Sequence, residues 1–134
     1  NVVFDWERML SLDGNTAPFL MYSYARGRSL LRKGEVESVR MEPFVPVEPL
    51  ERALTQQLLR FPEALQSALV NYRPNLLCEY LFGVATSFNR FYFELPVLQA
   101  EPDVRHRRIL MVEATSRVLR KGLQILGIRP LERM

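Results

Sequence analysis

Apolar residues recur at three- and four-residue intervals along most of this chain, and proline and glycine divide the pattern into helical stretches. In N-T-A-P-F-L-M-Y-S-Y-A-R-G-R-S-L-L-R-K-G, Asn15 or Thr16 is placed to cap, Pro18 stands in the first turn and Gly34 follows a basic end. This predicts a helix of roughly four turns. Pro49 opens a second helix, in which Leu50, Leu54 and Leu58, with Ala53 and Phe61 beside them, recur at helical spacing. Pro62 opens a third and places Leu65, Ala68, Leu69 and Tyr72 on one face. It breaks at Tyr72-Arg73-Pro74, because a residue before proline is pushed out of the helical region. A long, largely apolar stretch from Pro74 to Leu95, closed by Pro96, predicts a helix buried on several sides. The last helix runs from about Val104 to Leu126, with Val112, Leu119, Leu123 and Leu126 as one seam and Met111, Ala114, Val118 and Ile125 as an adjacent one. Gly127 is its natural stop. Between Gly34 and Glu48, prolines at 43 and 46 and the absence of a helical period predict a surface loop, ordered by Val36, Val39, Phe44, Val45 and Val47. Only Val2 to Phe4 alternates like a strand. The predicted class is all-α, a helical bundle of about five helices.

The 134 residues, 48% hydrophobic and 25% charged, suit one globular domain. A polar first decapeptide that starts on Asn1 rather than methionine, and in mid-pattern, suggests a segment of a longer chain. No apolar run approaches the ~20 residues that cross a bilayer, so no membrane role is expected. The single cysteine, Cys78, allows no intrachain disulfide and excludes cysteine-rich zinc sites, which favours a reducing, cytoplasmic setting. Net charge is only +3, yet the cations are sixteen arginines against two lysines. Guanidinium groups fork onto phosphate and stack on bases, so the bias points to nucleic acid, although an arginine-rich genome produces it too.

Catalytic chemistry would leave a nucleophile with its base, paired carboxylates, spaced metal ligands or a glycine-rich phosphate loop, and the sequence has none of these. His106 in R-H-R-R reads as a solvated surface side chain, and Cys78 as a small buried hydrophobe. Asp5, Glu7 and Asp13 fit helix capping and turn formation. No catalytic residue, metal ligand or cofactor site is therefore expected. On the first helix, at 100° per residue, Phe19, Tyr22, Arg26 and Ser29 fall within about 80° of arc, with Arg32 at the margin. Leu20, Tyr24, Gly27 and Leu31 gather on another sector. Two readings of the first face stand: the aromatic rings pack on later helices and the arginines are solvated, or rings and guanidinium groups form a stacking surface for unpaired bases.

The run D-G-N-T-A-P-F-L-M-Y-S-Y-A-R-G-R-S-L-L-R-K resembles the helix that opens the anticodon-binding domain of arginyl-tRNA synthetases. N-Y-R-P-N-L-L-C-E-Y-L-F followed by F-N-R-F-Y is similar to a second helix of that family, and L-G-I-R-P-L-E-R-M to its C-terminus. The four-letter D-A-L-R motif that names this domain type, found in other class I synthetases too, is not literally present. The resemblance implies that residues 1–16 end a linker from an absent catalytic domain and that 17–134 form the helical anticodon-binding domain. The signatures H-I-G-H and K-M-S-K-S are absent, so it implies that ATP, magnesium and the ligase chemistry belong upstream. The implied partners are the anticodon loop of tRNA(Arg) and the protein's own catalytic domain, not DNA.

Carried over by position, the implied anticodon contacts are Phe19, Tyr22, Arg26, Arg32, Tyr80 and Met134, which should converge in space. Phe19 and Met21 depart from the family's tyrosine and glutamine. Arginine anticodons share a middle C, whose reading takes donors, an oxygen acceptor and an aromatic ring. Main-chain oxygens near Arg133 and Met134 are the expected acceptors, with Leu131 anchoring the tail. The related domain of another class I synthetase, such as the cysteinyl enzyme, and a helical scaffold that has lost tRNA binding remain the alternatives.

Overall fold

The computed structural model describes residues 3–36 and 38–134. It consists of α1 (Trp6–Met9), α2 (Ala17–Lys33), α3 (Pro49–Leu59), α4 (Phe61–Val70), α5 (Pro74–Glu94) and α6 (Pro102–Ile125), with no strand among the described residues. Val2, part of the possible strand, lies outside the described residues; Val3 and Phe4 are not extended into one. The all-α expectation holds, with a single-turn α1 added that the hydrophobic pattern did not mark. Asp5 caps it, its side chain accepting from the Arg8 N–H at 3.0 Å.

Each of the five long helices carries a proline in its first turn, where the missing N–H has no helical partner to lose. Thr16 caps α2 by accepting from the Phe19 N–H. Three helices close in the same way, with an N–H reaching back five residues: Val36 to Leu31, Arg73 to Ala68 and Ile128 to Leu123. This closure needs a left-handed residue, supplied by Glu35 (φ 56°), Tyr72 (φ 52°) and Gly127 (φ 77°). Gly34 therefore does not serve the turn. A Cβ there would lie 2.8 Å from Leu98 Cδ2, so any larger residue would have to push that side chain aside.

α2, α5 and α6 run through two apolar clusters. The first joins Leu20 and Tyr24 to Leu77, Leu81, Leu119 and Leu123, with Ala68 of α4 beneath it. The second joins Leu30 and Leu31 to Leu54, Phe88, Phe91 and Met111. Two glycines admit close helix approach. A Cβ on Gly27 would sit 2.7 Å from Ser116 Oγ, which lets α2 lie against α6. A Cβ on Gly122 would meet Leu81 Cδ2 at 2.5 Å, and Leu81 is wholly buried. Gly122→Ala is therefore expected to lower stability by up to about 2 kcal/mol, because overpacking exceeds the ~1 kcal/mol that alanine contributes to helix propensity. Chemical denaturation measures it, and a stabilised variant would mean that Leu81 swings clear.

The seam of Val112, Leu119 and Leu123 is buried as its spacing predicts, but Ile125 is exposed. The α4 face needs a larger correction. Only Ala68 is buried, while Leu69 and Tyr72 face solvent. The helix ends at Val70, and the left-handed turn at Tyr72 carries that ring off the face. In the 34–48 connection Val36, Val39 and Phe44 pack on the second cluster, whereas Val45 and Val47 are exposed.

An ionised side chain sits in the interior. Glu51, fully buried in the first turn of α3, accepts at Oε2 from Arg107 Nε (3.0 Å) and the Val47 and Glu48 N–H groups (2.8 and 3.3 Å). Its Oε1 takes Arg108 Nε at 2.8 Å, and Arg108 Nη1 continues to the Pro96 carbonyl at 2.6 Å. One carboxylate thereby ties α3, α6 and two connections together.

Candidate nucleic-acid interface

The α2 face that turns away from the core borders a groove of about 400 Å³, closed on one side by Tyr92 of α5 and on another by the C-terminal tail. Tyr22, Arg26, Ser29, Arg32 and Lys33 line it from α2, and Arg133 and Met134 from the tail. It has four cationic side chains and no carboxylate side chain among the described lining residues.

Arg26 organises the aromatic part. Its guanidinium carbon lies 4.7 Å from the Tyr22 ring centre, 5.1 Å from Tyr92 and 4.7 Å from Phe93. Such cation–π contacts hold a cation without neutralising it. Nη1 donates to Asn89 Oδ1 at 2.7 Å, the Asn89 amide donates to Ser23 Oγ, and that hydroxyl donates to the Phe19 carbonyl. The chain of bonds fixes Arg26 from below while Tyr22 stays 38% exposed. A flat, unpaired base could stack on such a ring with guanidinium donors at its edge.

Four of the six residues named from the resemblance thus come together: Tyr22, Arg26, Arg32 and Met134. Phe19 and Tyr80 do not join them, which corrects the expected convergence. The Phe19 ring packs on Phe82, 5.4 Å between centres, at the edge of the first cluster. Tyr80 lies on α5 twelve residues before Tyr92, about 18 Å along the helix axis. It borders a separate cleft with Gln57, Arg60 and Glu79. Its hydroxyl donates to the Gln57 carbonyl at 2.8 Å, and burial pushes its pKa up to about 12.

Tyr92, Lys33 and Glu132 were missed. Tyr92 ends the F-N-R-F-Y string, where it was legible as an aromatic but not as a groove wall. Lys33 had read only as the basic end of a helix. Glu132 left no local signal, because its partners are more than a hundred residues away: the Tyr24 hydroxyl donates to its Oε1, and Arg28 Nε donates to its Oε2 at 2.9 Å. It holds the tail in place of Leu131, which is 40% exposed. The hydrogen bond from Tyr24, with Arg28 beside it, holds the Glu132 carboxyl below its ordinary range, while burial and this partner push Tyr24 up to about 12.

Other candidate chemistry stays structural. His106 is exposed beside Glu42, at 2.7 Å. Cys78 is half-buried, and burial pushes its thiol up, away from the reactive thiolate. Among the described residues no group of three or more His, Cys, Asp or Glu is placed to hold a metal, and no helix is long and apolar enough to cross a membrane.

Comparison with known proteins converges on one family. The arginine–tRNA ligase of Synechococcus elongatus is 43% identical over the whole chain, and that of Chloroflexus aurantiacus 41%. The chain spans 23% and 24% of these proteins, about a quarter of their length. Among solved structures, Thermus thermophilus arginyl-tRNA synthetase superposes on 98% of the chain with a TM-score of 0.84 at 35% identity, the chain covering 23% of it. Arginyl-tRNA synthetase from Plasmodium falciparum superposes on 98% with a TM-score of 0.81 at 26% identity, again with 23% covered. The sequence pattern of the DALR anticodon binding domain matches residues 20–134, nearly the whole helical bundle, and the chain belongs to that family.

Proposed function

We propose that this chain is the anticodon-recognition domain of an arginine–tRNA ligase and that the groove between α2, Tyr92 and the tail receives the anticodon loop of tRNA(Arg). Residues 1–16 then end a linker from a catalytic domain that supplies ATP- and magnesium-dependent attachment of arginine in the cytoplasm. The observation that carries this reading is the groove itself: Arg26 held among three rings, with Arg32, Lys33 and Arg133 beside it and no carboxylate side chain among the described lining residues. Unpaired bases stack on Tyr22 and Tyr92, the cations meet phosphates and base edges, and main-chain oxygens near Arg133 and Met134 accept from the cytosine amino group. Phe19 supports the site from behind, its carbonyl accepting from Ser23 below Arg26, whereas Tyr80 serves the packing of a separate cleft.

A labelled anticodon stem-loop, with C or another base at the middle position, tests the reading. The C-bearing loop is expected to bind more tightly, and its affinity to fall with salt. Each cation engaged with single-stranded phosphate contributes roughly −0.7 to the logarithmic slope, so the four groove cations allow a slope of at most about −3. Equal binding of both loops, or tighter binding to duplex DNA of any sequence, would overturn it.

A further inference from the structure

After Gly127 the chain runs without regular structure, and Met134 itself is 58% exposed. A segment so lightly covered would ordinarily fray, yet Arg133 and Met134 stand at the groove wall. The contact that accounts for this is one residue upstream. Glu132 spans two side chains of α2, receiving the Tyr24 hydroxyl on one oxygen and Arg28 Nε on the other. Neither partner is free to wander. Tyr24 is 1% exposed, its ring locked in the first cluster. Arg28 is braced from α6, its Nη1 donating to Glu113 Oε2 at 3.2 Å, and Glu113 Oε1 in turn accepts from Arg117 Nε at 2.7 Å.

Tyr24 and Arg28 are four residues apart and share one face of α2. Tyr22, Arg26 and Ser29 lie roughly 100 to 160° round the same helix, on its groove-lining face. The tail is thus pinned to the same rigid helix that carries the stacking and cationic groups.

We propose that Glu132 is a positioning residue: the Tyr24–Glu132–Arg28 latch orders the tail before any ligand arrives, so that Arg133 and Met134 complete the groove and RNA binding does not bear the cost of ordering them. The role of the latch in RNA binding rests on the reading of the groove as the anticodon site, whereas its hold on the tail does not.

The test uses the complete protein with 13C-methyl-labelled methionine, the Met134 signal being assigned from Met134→Leu, and a C-bearing anticodon stem-loop as the probe. Without RNA, Glu132→Ala is expected to move the Met134 methyl to its random-coil position and narrow it. With RNA it is expected to weaken binding about tenfold. Glu132→Gln, which keeps a neutral acceptor for Tyr24 but loses the charge facing Arg28, is expected to fall between. Should Glu132→Ala impair folding, Tyr24→Phe keeps the ring in the core, removes only the hydroxyl and is read in the same two ways. An unmoved methyl overturns the latch, and a released methyl with unchanged stem-loop affinity overturns its positioning role. Wild-type protein that fails to bind the stem-loop overturns the reading of the groove instead, and the methyl measurement still decides whether Glu132 holds the tail.

Discussion

Glu51→Ala is expected to destabilise the fold by about 3 to 5 kcal/mol, the range for removing one partner of a buried ion pair. The carboxylate has no solvent exposure, and Arg108, only 5% exposed, would keep its charge without a counterion. Arg107, at 3.0 Å, and the Val47 and Glu48 N–H groups would lose their acceptor as well. Chemical denaturation of the chain reads the loss, and a change below about 1 kcal/mol would mean that the two arginines find water or other acceptors. The same group sets an acid limit. Burial alone would raise its pKa, but hydrogen bonds from Arg108, Val47, Arg107 and Glu48 outweigh it and hold the value at about 2, against 4.5 unperturbed. A folded value below the unfolded one stabilises the fold fully above about pH 4.5, and the contribution, about 3 kcal/mol, is lost as pH falls toward 2. Wild-type stability should therefore drop across that window more steeply than that of Glu51→Gln. Parallel profiles would show that other carboxylates govern acid unfolding.

Tyr22→Ala in the complete protein is expected to weaken tRNA binding by about 1 to 3 kcal/mol, roughly 5- to 150-fold, as when one base loses its aromatic partner. Its ring is more than a third exposed and belongs to neither apolar cluster, so stability should change little. The loss has a second component, because Tyr22 is one of the three rings that hold the Arg26 guanidinium. Activation of arginine without tRNA should be unaffected, since the proposed function assigns it to a catalytic domain other than this one. An equal loss in tRNA binding and in arginine activation would assign Tyr22 to the fold rather than to the groove.

The two readings of the outer face of α2 are divided by the structure within a few residues. Phe19 follows the packing reading, its ring on Phe82. Tyr22, three residues later, lines the groove with its ring 38% exposed, which leaves it available for stacking. An 80° sector describes the direction of a side chain from its own helix axis, but what stands opposite changes from turn to turn. At Phe19 it is Phe82 of α5; at Tyr22 and Arg26 it is a groove that Tyr92 borders beside the Arg26 guanidinium.

Helix limits were legible in the sequence because they are decided within four or five residues. Proline in a first turn, Thr16 accepting from Phe19 and Gly127 at a left-handed stop all act through local backbone geometry. So did the buried sector with Leu20, Tyr24, Gly27 and Leu31, which follows from 3.6-residue periodicity. What the tertiary structure alone decided are the pairings across long separations: Glu51 with Arg107 and Arg108, 56 and 57 residues on, and Glu132 with Arg28 and Tyr24, 104 and 108 residues back. No local spacing encodes which charged side chain meets which. That choice is made when whole helix faces dock, and apolar packing and close approaches such as Gly27 on Ser116 set the docking.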